Sequence, residues 1–260
     1  MAWLTGERGG LGRWLRRGLD LLYPPRCAIC GVDCEPMVES ADDATADRML
    51  AVVCAGCSRS LPADRPRCPR CGEPGSPEGC GRCAGRPADV DGLVVLGPYA
   101  DDLRTCVLRA KRPAGDIVSA GLAALLVRGH RDRFSAWRID VVVPVPMHWT
   151  RRALRGTSAA EELARGVARG LGLPSRRLLR RWQATRMQNE LPVGERRGNV
   201  RGAFRASARV AGLRLLLVDD VTTTGATLAA CRQAAISAGA AAVYAAVVAR
   251  ADRGDQGDDV

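Results

Sequence analysis

The 260-residue chain has little of three things: lysine, aromatic side chains and uninterrupted apolar sequence. Lys111 is its single lysine, so arginine supplies nearly all of the positive charge behind a formal net charge of +11. Aromatic residues make up 4% of the chain and its five tryptophans are scattered, so the sequence contains no aromatic array for stacking bases. No apolar run approaches about 18 residues in length, and therefore no membrane span is expected.

The first 25 residues lack the continuous apolar segment of a secretion signal. Charged residues at positions 13, 16, 17 and 20 interrupt the apolar residues at 11, 14, 15, 19 and 22. Those apolar residues recur at helical spacing, and Pro24 and Pro25 end the pattern. We therefore predict a cytoplasmic protein whose residues 1–25 form a helix. This helix would pack against the module that follows it or lie on a membrane surface.

Cysteine, by contrast, is abundant: the chain has eleven, and eight of them form four C-x-x-C pairs. The pairs are Cys27/Cys30, Cys54/Cys57, Cys68/Cys71 and Cys80/Cys83. One pair presents two thiolates to a metal ion, and two pairs complete a tetrahedral site of four cysteines. We predict about two structural zinc ions, each held by two pairs that are neighbours in the sequence. A crossed pairing and an iron–sulfur cluster are the alternatives.

Residues 26–86 contain all four pairs and are rich in proline, glycine and arginine but poor in large apolar residues. Such a segment cannot build a core of its own, so metal binding has to supply its folding energy. Cys34 is a candidate spare ligand, whereas Cys106 and Cys231 fall in helix-like stretches and are expected in the core. The acidic stretch 39–47 is predicted to be an exposed loop.

Residues 215–227 carry the densest set of functional signals. An apolar run ends in two aspartates, a hydroxyl-rich turn with one glycine follows, and a helical pattern comes next. The run predicts a buried parallel strand, and the turn places backbone N–H groups at a helix N-terminus, where phosphate binds readily. Glycine lets the backbone approach a ligand, while the carboxylates can accept hydrogen bonds from vicinal hydroxyls. The segment predicts a sugar 5-phosphate site made by Asp219, Asp220, Val221, Thr222, Thr223, Thr224, Gly225, Ala226 and Thr227.

The sequence from 89 to 252 has the alternating pattern of an α/β domain. Alternating strands and helices favour a parallel sheet with helices on both faces, and ligands bind such sheets at the carboxyl ends of the strands. The loops after 146 and after 218 are therefore expected at one edge of the sheet. The predicted strands cover 93–99, 139–145, 213–218 and 242–249, and the predicted helices cover 116–129, 157–171 and 226–238.

The segment 219–227 resembles the motif with which type I phosphoribosyltransferases bind 5-phosphoribosyl 1-pyrophosphate (PRPP). The whole chain resembles the bacterial ComF/GntX-type family. That resemblance implies a type I phosphoribosyltransferase-like domain at 89–252, preceded by a double zinc-ribbon-like module at 26–86. It rests on the 219–227 loop, Tyr23 with Pro24 and Pro25, the four cysteine pairs, Lys111, the Val-Pro-Val-Pro run at 143–146, Arg155 with Gly156, and the stretch 186–204. At 157–159 the chain has Thr, Ser and Ala where the family usually has Phe, Asn and Gln.

The same resemblance implies a function. It predicts binding of PRPP together with Mg²⁺, with Asp219 and Asp220 as the candidate catalytic residues. It also predicts a role in the handling or uptake of single-stranded DNA in natural competence, or in the use of external DNA. Helicase-type proteins of competence are the implied protein partners. The alternative is an active phosphoribosyltransferase that transfers ribose 5-phosphate from PRPP to a nucleobase-like acceptor.

Seven further residues are candidates for contacting pyrophosphate or for forming a hood over the site: Lys111, Arg151, Arg152, Arg155, Gln188, Arg196 and Asn199. The arginines near 150 can grip pyrophosphate through bidentate hydrogen bonds, or they form a solvated helix start. The polar segment from 188 to 199 resembles the family's hood, or it is a plain surface loop. The lysine can meet a phosphate or be merely exposed. The arginine-rich regions 1–86 and 186–205 are the candidate DNA contacts, the alternative being a solvated surface.

Overall fold

A computed structural model of the chain describes residues 24–34, 51–62, 65–75, 80–81, 83, 88–147, 158–182 and 202–251. The predicted helix within 1–25 and the predicted acidic loop at 39–47 fall almost wholly or wholly outside these ranges. Six of the seven candidates for pyrophosphate or hood contacts also lie outside the described residues: Arg151, Arg152, Arg155, Gln188, Arg196 and Asn199. The boundaries of the three predicted units remain predictions.

The described elements comprise five α-helices and six strands. The helices are α1 (Ala55–Ser60), α2 (Asp101–Ala110), α3 (Asp116–Trp137), α4 (Ala159–Leu171) and α5 (Ala226–Ser237). The strands are β1 (Gly92–Pro98), β2 (Val141–Pro144), β3 (Leu179–Arg181), β4 (Phe204–Ala206), β5 (Arg214–Thr222) and β6 (Ala242–Arg250). A short 3₁₀ turn, Ala208–Val210, leads from β4 into β5.

Four strands form a parallel sheet in the order β1-β6-β5-β2. The two central strands pair over nearly their full length, from Arg214 opposite Ala242 to Thr222 opposite Arg250. Apolar runs form these strands because a parallel sheet is covered on both faces and buries both sets of alternating side chains. The α/β class predicted from the sequence is therefore confirmed.

Helices cover both faces of this sheet, as predicted. Leu216 and Val218 of β5 pack into a core shared with α2, α3 and α4, whereas Leu215 and Leu217 pack into a second core with α5. The two sets separate because successive side chains of a strand point to opposite faces. A two-stranded antiparallel sheet of β3 and β4 joins the second core through Phe204.

Several elements differ from the sequence prediction, including α3, which ends at Trp137 and not at the predicted 129, and α1, which was not predicted. Strand β5 continues four residues past the predicted end at 218, because Asp219, Val221 and Thr222 still pair with β6 through the backbone. Backbone pairing does not depend on apolar side chains, so two aspartates do not end the strand. The pair β3 and β4 was not predicted, because each strand has three residues and no apolar alternation that marks it.

The cysteine-rich residues pack directly on the α/β domain. Ile29, Val53 and Leu61 belong to the core beside α3, and a guanidinium N–H of Arg109 donates to the Ile29 carbonyl oxygen at 2.8 Å. The Leu93 N–H of β1 donates to the Pro69 carbonyl oxygen at 2.7 Å. Within the described residues, no helix combines the length and the apolar character that a membrane span requires.

Candidate functional site

The eight paired cysteines form two groups of four. Cys27, Cys30, Cys54 and Cys57 make one group and Cys68, Cys71, Cys80 and Cys83 the other, with the ligand atoms of each group within 4.8 Å of one another. The described chain thus joins pairs that are neighbours in sequence. Cys34 belongs to neither group and packs against the core, and Cys106 and Cys231 are buried core residues.

The sulfur spacing fits a tetrahedral zinc site. The Sγ atoms of Cys30 and Cys54 lie 3.7 Å apart, and those of Cys71 and Cys80 lie 3.5 Å apart. A tetrahedron with Zn–S bonds of about 2.3 Å has S···S edges of about 3.8 Å. A disulfide would need about 2.05 Å. Both groups could therefore hold zinc, and the donor set suits that metal.

In the first cysteine group, backbone N–H groups donate to two of the sulfur atoms. The Cys54 N–H donates to Cys27 Sγ at 3.3 Å, and the Cys57 N–H donates to Cys54 Sγ at 3.4 Å. Burial raises the pKa of Cys27, but the backbone N–H groups around its sulfur outweigh burial and lower that pKa to about 6. Burial and neighbouring thiols raise the pKa of Cys57. Four crowded sulfurs of this kind need a cation to ionise together.

The first C-x-x-C knuckle of one group and the first knuckle of the other have the same turn. Gly31 donates its N–H to the Cys27 carbonyl oxygen at 2.9 Å, and Gly72 donates to the Cys68 carbonyl oxygen at 2.8 Å. Both glycines have positive φ, +79° and +75°. A side chain at Gly72 would also collide with the sheet, because its Cβ would lie 2.7 Å from Cγ2 of Val95. The glycine is therefore required for folding of the knuckle and for its packing on β1.

The second site lies at the carboxyl end of β5, where Asp219 and Asp220 are adjacent. The Asp220 N–H donates to Oδ1 of Asp219 at 2.9 Å, and the Val221 N–H donates to Oδ1 of Asp220 at 2.8 Å. Burial, followed by the charge of Asp220, raises the pKa of Asp219 well above its ordinary value. The two carboxylates therefore sit in different electrostatic environments although they are neighbours in sequence.

Lys111, at the C-terminus of α2, reaches this pair. Its Nζ lies 2.9 Å from Oδ2 of Asp220. Burial lowers the pKa of Lys111, but the charge of Asp220 and the hydrogen bond to it outweigh burial, so that the pKa is raised. The structure thus brings one predicted phosphate contact to the predicted diol clamp, and it keeps Lys111 charged at neutral pH.

The turn from Thr222 to Gly225 leads from β5 into α5. Thr222 and Thr224 are buried, and Thr224 Oγ1 accepts a hydrogen bond from the Ala226 N–H at 3.3 Å. Gly225 has φ +78°, and a Cβ there would lie 2.5 Å from Oδ2 of Asp89. A side chain is therefore excluded twice, by conformation and by space. The nine residues predicted to bind a sugar phosphate are contiguous here, at the strand end and the helix N-terminus.

The segment after β2 leaves the sheet at the same edge. The Val145 N–H donates to the Val218 carbonyl oxygen at 2.9 Å, one residue before Asp219. A cavity of about 370 Å³ opens along this segment. Its lining includes Pro144, Met147, Glu161, Arg177, Arg180 and Arg181. Three arginines thus border this cavity, and one of them, Arg177, pairs with Glu161.

Sequence reasoning missed two residues that shape this edge. Asp89 fills the space beneath Gly225, and Arg250 is a fully buried cation opposite Thr222. Arg250 Nη2 pairs with Oε1 of Glu73, two residues after Cys71, at 2.6 Å. The sequence does contain one indication that Arg250 has a structural role, because this charged residue ends a strand that is otherwise apolar. Nothing in the sequence near Asp89 indicates its partner.

No protein-family model matches the chain, but curated proteins do. It is 32% identical to DNA utilization protein YhgH of Escherichia coli (strain K12) over 197 residues, covering 74% of this chain and 87% of that protein. The YhgH protein of Salmonella typhi is 34% identical over 198 residues, with the same shares covered. Competence protein F of Haemophilus influenzae is 29% identical over 188 residues, or 68% of this chain and 80% of that protein.

Among solved structures, glutamine PRPP amidotransferase from B. subtilis, complexed with ADP and GMP, is similar at 20% identity. The match covers 55% of this chain and 30% of that one, and its TM-score of 0.35 is too low to support inference from it. Membership rests on the curated relatives, which the chain matches over most of their length. The chain belongs to the family of DNA utilization protein YhgH and competence protein F, as its motifs indicate.

Proposed function

We propose that this chain is a PRPP-binding, phosphoribosyltransferase-like protein that assists the handling or uptake of single-stranded DNA. The observation that carries PRPP binding is the run from Asp219 to Thr227, with paired carboxylates at a strand end and a glycine turn at a helix N-terminus. The DNA role is supported by the names of its relatives, DNA utilization protein and competence protein F. The cysteine sulfurs are spaced for zinc and not for disulfides, which fits a reducing compartment, the bacterial cytoplasm.

In this proposal each part of the site has one task. The backbone N–H groups at the start of α5 and the threonine hydroxyls hold the 5-phosphate. Asp219 and Asp220 accept hydrogen bonds from the ribose hydroxyls, and Lys111 positions Asp220 by pairing with it. Mg²⁺, when bound with PRPP, would neutralise pyrophosphate. The loops near 151–155 and 188–199 are proposed to contact pyrophosphate and to cover the site.

One observation favours a second candidate, an active phosphoribosyltransferase. The raised pKa of Asp219 is typical of groups that exchange protons during catalysis. Release of pyrophosphate from PRPP across a panel of nucleobases separates the two candidates. Turnover with one base would identify an enzyme, whereas binding without turnover supports an accessory protein.

PRPP with Mg²⁺ is expected to raise the melting temperature of the purified protein. A ligand at 100 times its Kd adds about 2.7 kcal/mol to the stability of the folded state. The double substitution Asp219→Asn with Asp220→Asn should remove the shift, because each amide loses the negative charge and replaces one of the two acceptor oxygens with a donor. Asp132→Asn, an exposed carboxylate of α3, is the matched control and should keep the shift. A full shift in the double variant would contradict the assigned clamp.

Asp219→Asn alone is expected to stabilise the ligand-free protein at pH 7. The pKa of this carboxyl is raised in the folded state, so its ionisation opposes folding as the pH rises above its unfolded pKa. The neutral amide removes that penalty while filling the same volume. Thermal melts should show a higher melting temperature for the variant at pH 7 and a smaller difference near pH 4. A variant that melts below wild type at pH 7 would contradict this electrostatic assignment.

A further inference from the structure

The small sheet of β3 and β4 has one buried face and one exposed face. Arg180 lies opposite Arg205, and Leu179 lies opposite Ala206. Leu179 is buried in the core, whereas Arg180 and Arg205 are exposed on the other face. Trp182 follows two residues after Arg180, so its side chain lies on that same outer face. We call Arg180, Trp182 and Arg205 the Trp182 surface.

Trp182 is unusual because its large ring is left in solvent. The residue is 64% exposed, whereas the other described tryptophan, Trp137, stacks on Tyr244 at a centroid distance of 4.6 Å. The guanidinium of Arg205 lies over the Trp182 ring, 4.4 Å from its centroid. The ring is thus held in place from one side, and its other face is available to a flat partner.

The positive charges around Trp182 favour the binding of an anion. Like charges placed directly opposite each other destabilise a strand pair, and Arg180 stands directly opposite Arg205. Within the described parts of the chain, neither guanidinium is paired with a carboxylate. Arg176 and Arg209 are also exposed nearby in the chain. An anionic ligand would relieve this repulsion, and one with flat rings would also cover the indole.

We propose that the Trp182 surface binds single-stranded DNA. A base stacks on the free face of Trp182, and the phosphates on either side of it contact Arg180 and Arg205. A single strand is favoured over a duplex because only unpaired bases offer their ring faces for stacking. This site deepens the proposed function, and it rests on the DNA-handling part of that proposal.

One residue of the Trp182 surface also lines the cavity that follows β2. Arg180 borders that cavity together with Pro144 and Met147. A strand whose phosphate contacts Arg180 therefore lies beside this cavity.

The test is a fluorescence anisotropy titration of a labelled oligo(dT) with the full-length chain over a range of salt concentrations. Base stacking on an aromatic residue contributes enough that Trp182→Ala should weaken binding about tenfold. Trp182→Phe, which keeps a ring, should retain most of the affinity. Arg180→Ala with Arg205→Ala should lower the salt slope by about 1.4, because each phosphate contact contributes about 0.7. Trp182→Ala should leave that slope unchanged.

Arg169→Ala, an exposed arginine of α4, is the matched control for charge and should change affinity little. Circular dichroism and the PRPP-induced shift report whether each variant is folded. If wild type binds DNA and Trp182→Ala binds it equally well, the assignment of the DNA site to the Trp182 surface is wrong, while the proposed DNA role is retained. If wild type binds no DNA even at low salt, both proposals fall. Poly-glutamate and unlabelled oligo(dT) are each added as competitors of the labelled oligonucleotide. If poly-glutamate displaces it at a lower concentration of negative charge than oligo(dT) does, the surface binds an acidic peptide and not DNA.

Discussion

Cys68→Ser is expected to reduce the zinc content from about two ions per chain to about one and to unfold the second cysteine group. The four sulfurs of that group are spaced as in a zinc tetrahedron, and they surround a segment with almost no core of its own. Structural zinc sites of this type contribute about 10–16 kcal/mol of apparent binding energy in isolated zinc-finger peptides. Serine is a poor zinc ligand at neutral pH, so most of that contribution should be lost.

The loss of this zinc ion should also destabilise the α/β domain. Cys68 and Gly72 belong to the knuckle that packs on β1, where the Leu93 N–H donates to the Pro69 carbonyl oxygen. Unfolding of the knuckle would expose Val95 and leave that donor without its partner. We therefore expect a lower melting temperature for the whole chain, together with faster proteolysis within residues 65–75.

Elemental analysis of the purified protein measures the metal directly. Cys34→Ser is the matched control, because Cys34 lies outside both thiol groups and should leave two zinc ions bound. Iron in place of zinc, or two zinc ions retained in Cys68→Ser, would contradict the assignment.

The cysteine sites could be predicted from sequence because their information is local. Two ligands of each pair are three residues apart, and a glycine follows Cys30 and Cys71 where the turn requires positive φ. The grouping of pairs followed sequence order, and the structure has the same grouping. Local patterns also located the four sheet strands and the helix after Gly225, since each has a continuous apolar or helical signal.

The contacts that complete the second site could not be predicted, because their partners are distant in sequence. Asp220 pairs with Lys111 more than a hundred residues earlier, and Gly225 packs on Asp89. The sheet order brings these together, and no local pattern encodes it. The exposed Trp182 was missed for a related reason. Five scattered tryptophans give no motif, and the fold alone determines which ring stays in solvent.

Arg250 connects the cysteine-rich segment to the parallel sheet, next to the strand of the proposed PRPP site. Its backbone pairs with Thr222 of β5, and its carbonyl oxygen accepts from the Tyr99 N–H at 2.6 Å. Its side chain reaches Glu73, two residues after Cys71. The guanidinium side chain is 1% exposed and the Glu73 side chain is 14% exposed. The cysteine-rich segment is therefore bound to the sheet by a buried ion pair next to the strand that carries Asp219.

Glu73→Gln is expected to destabilise the folded protein by about 3–5 kcal/mol, because it removes the carboxylate that pairs with the buried Arg250 guanidinium. Arg250→Met should cost less, since an apolar side chain suits the site and Glu73 is closer to solvent. The double variant should be more stable than Glu73→Gln alone, because no uncompensated charge remains. Urea unfolding in zinc-saturated buffer measures the stability of all three variants, since urea does not screen charge.

The control is Asp33→Asn, which breaks an exposed ion pair with Arg26. The Asp33 side chain is 53% exposed and the Arg26 side chain 75%, so this change should cost less than about 1 kcal/mol. A Glu73→Gln protein as stable as Asp33→Asn would mean that the buried pair does not hold the module to the sheet.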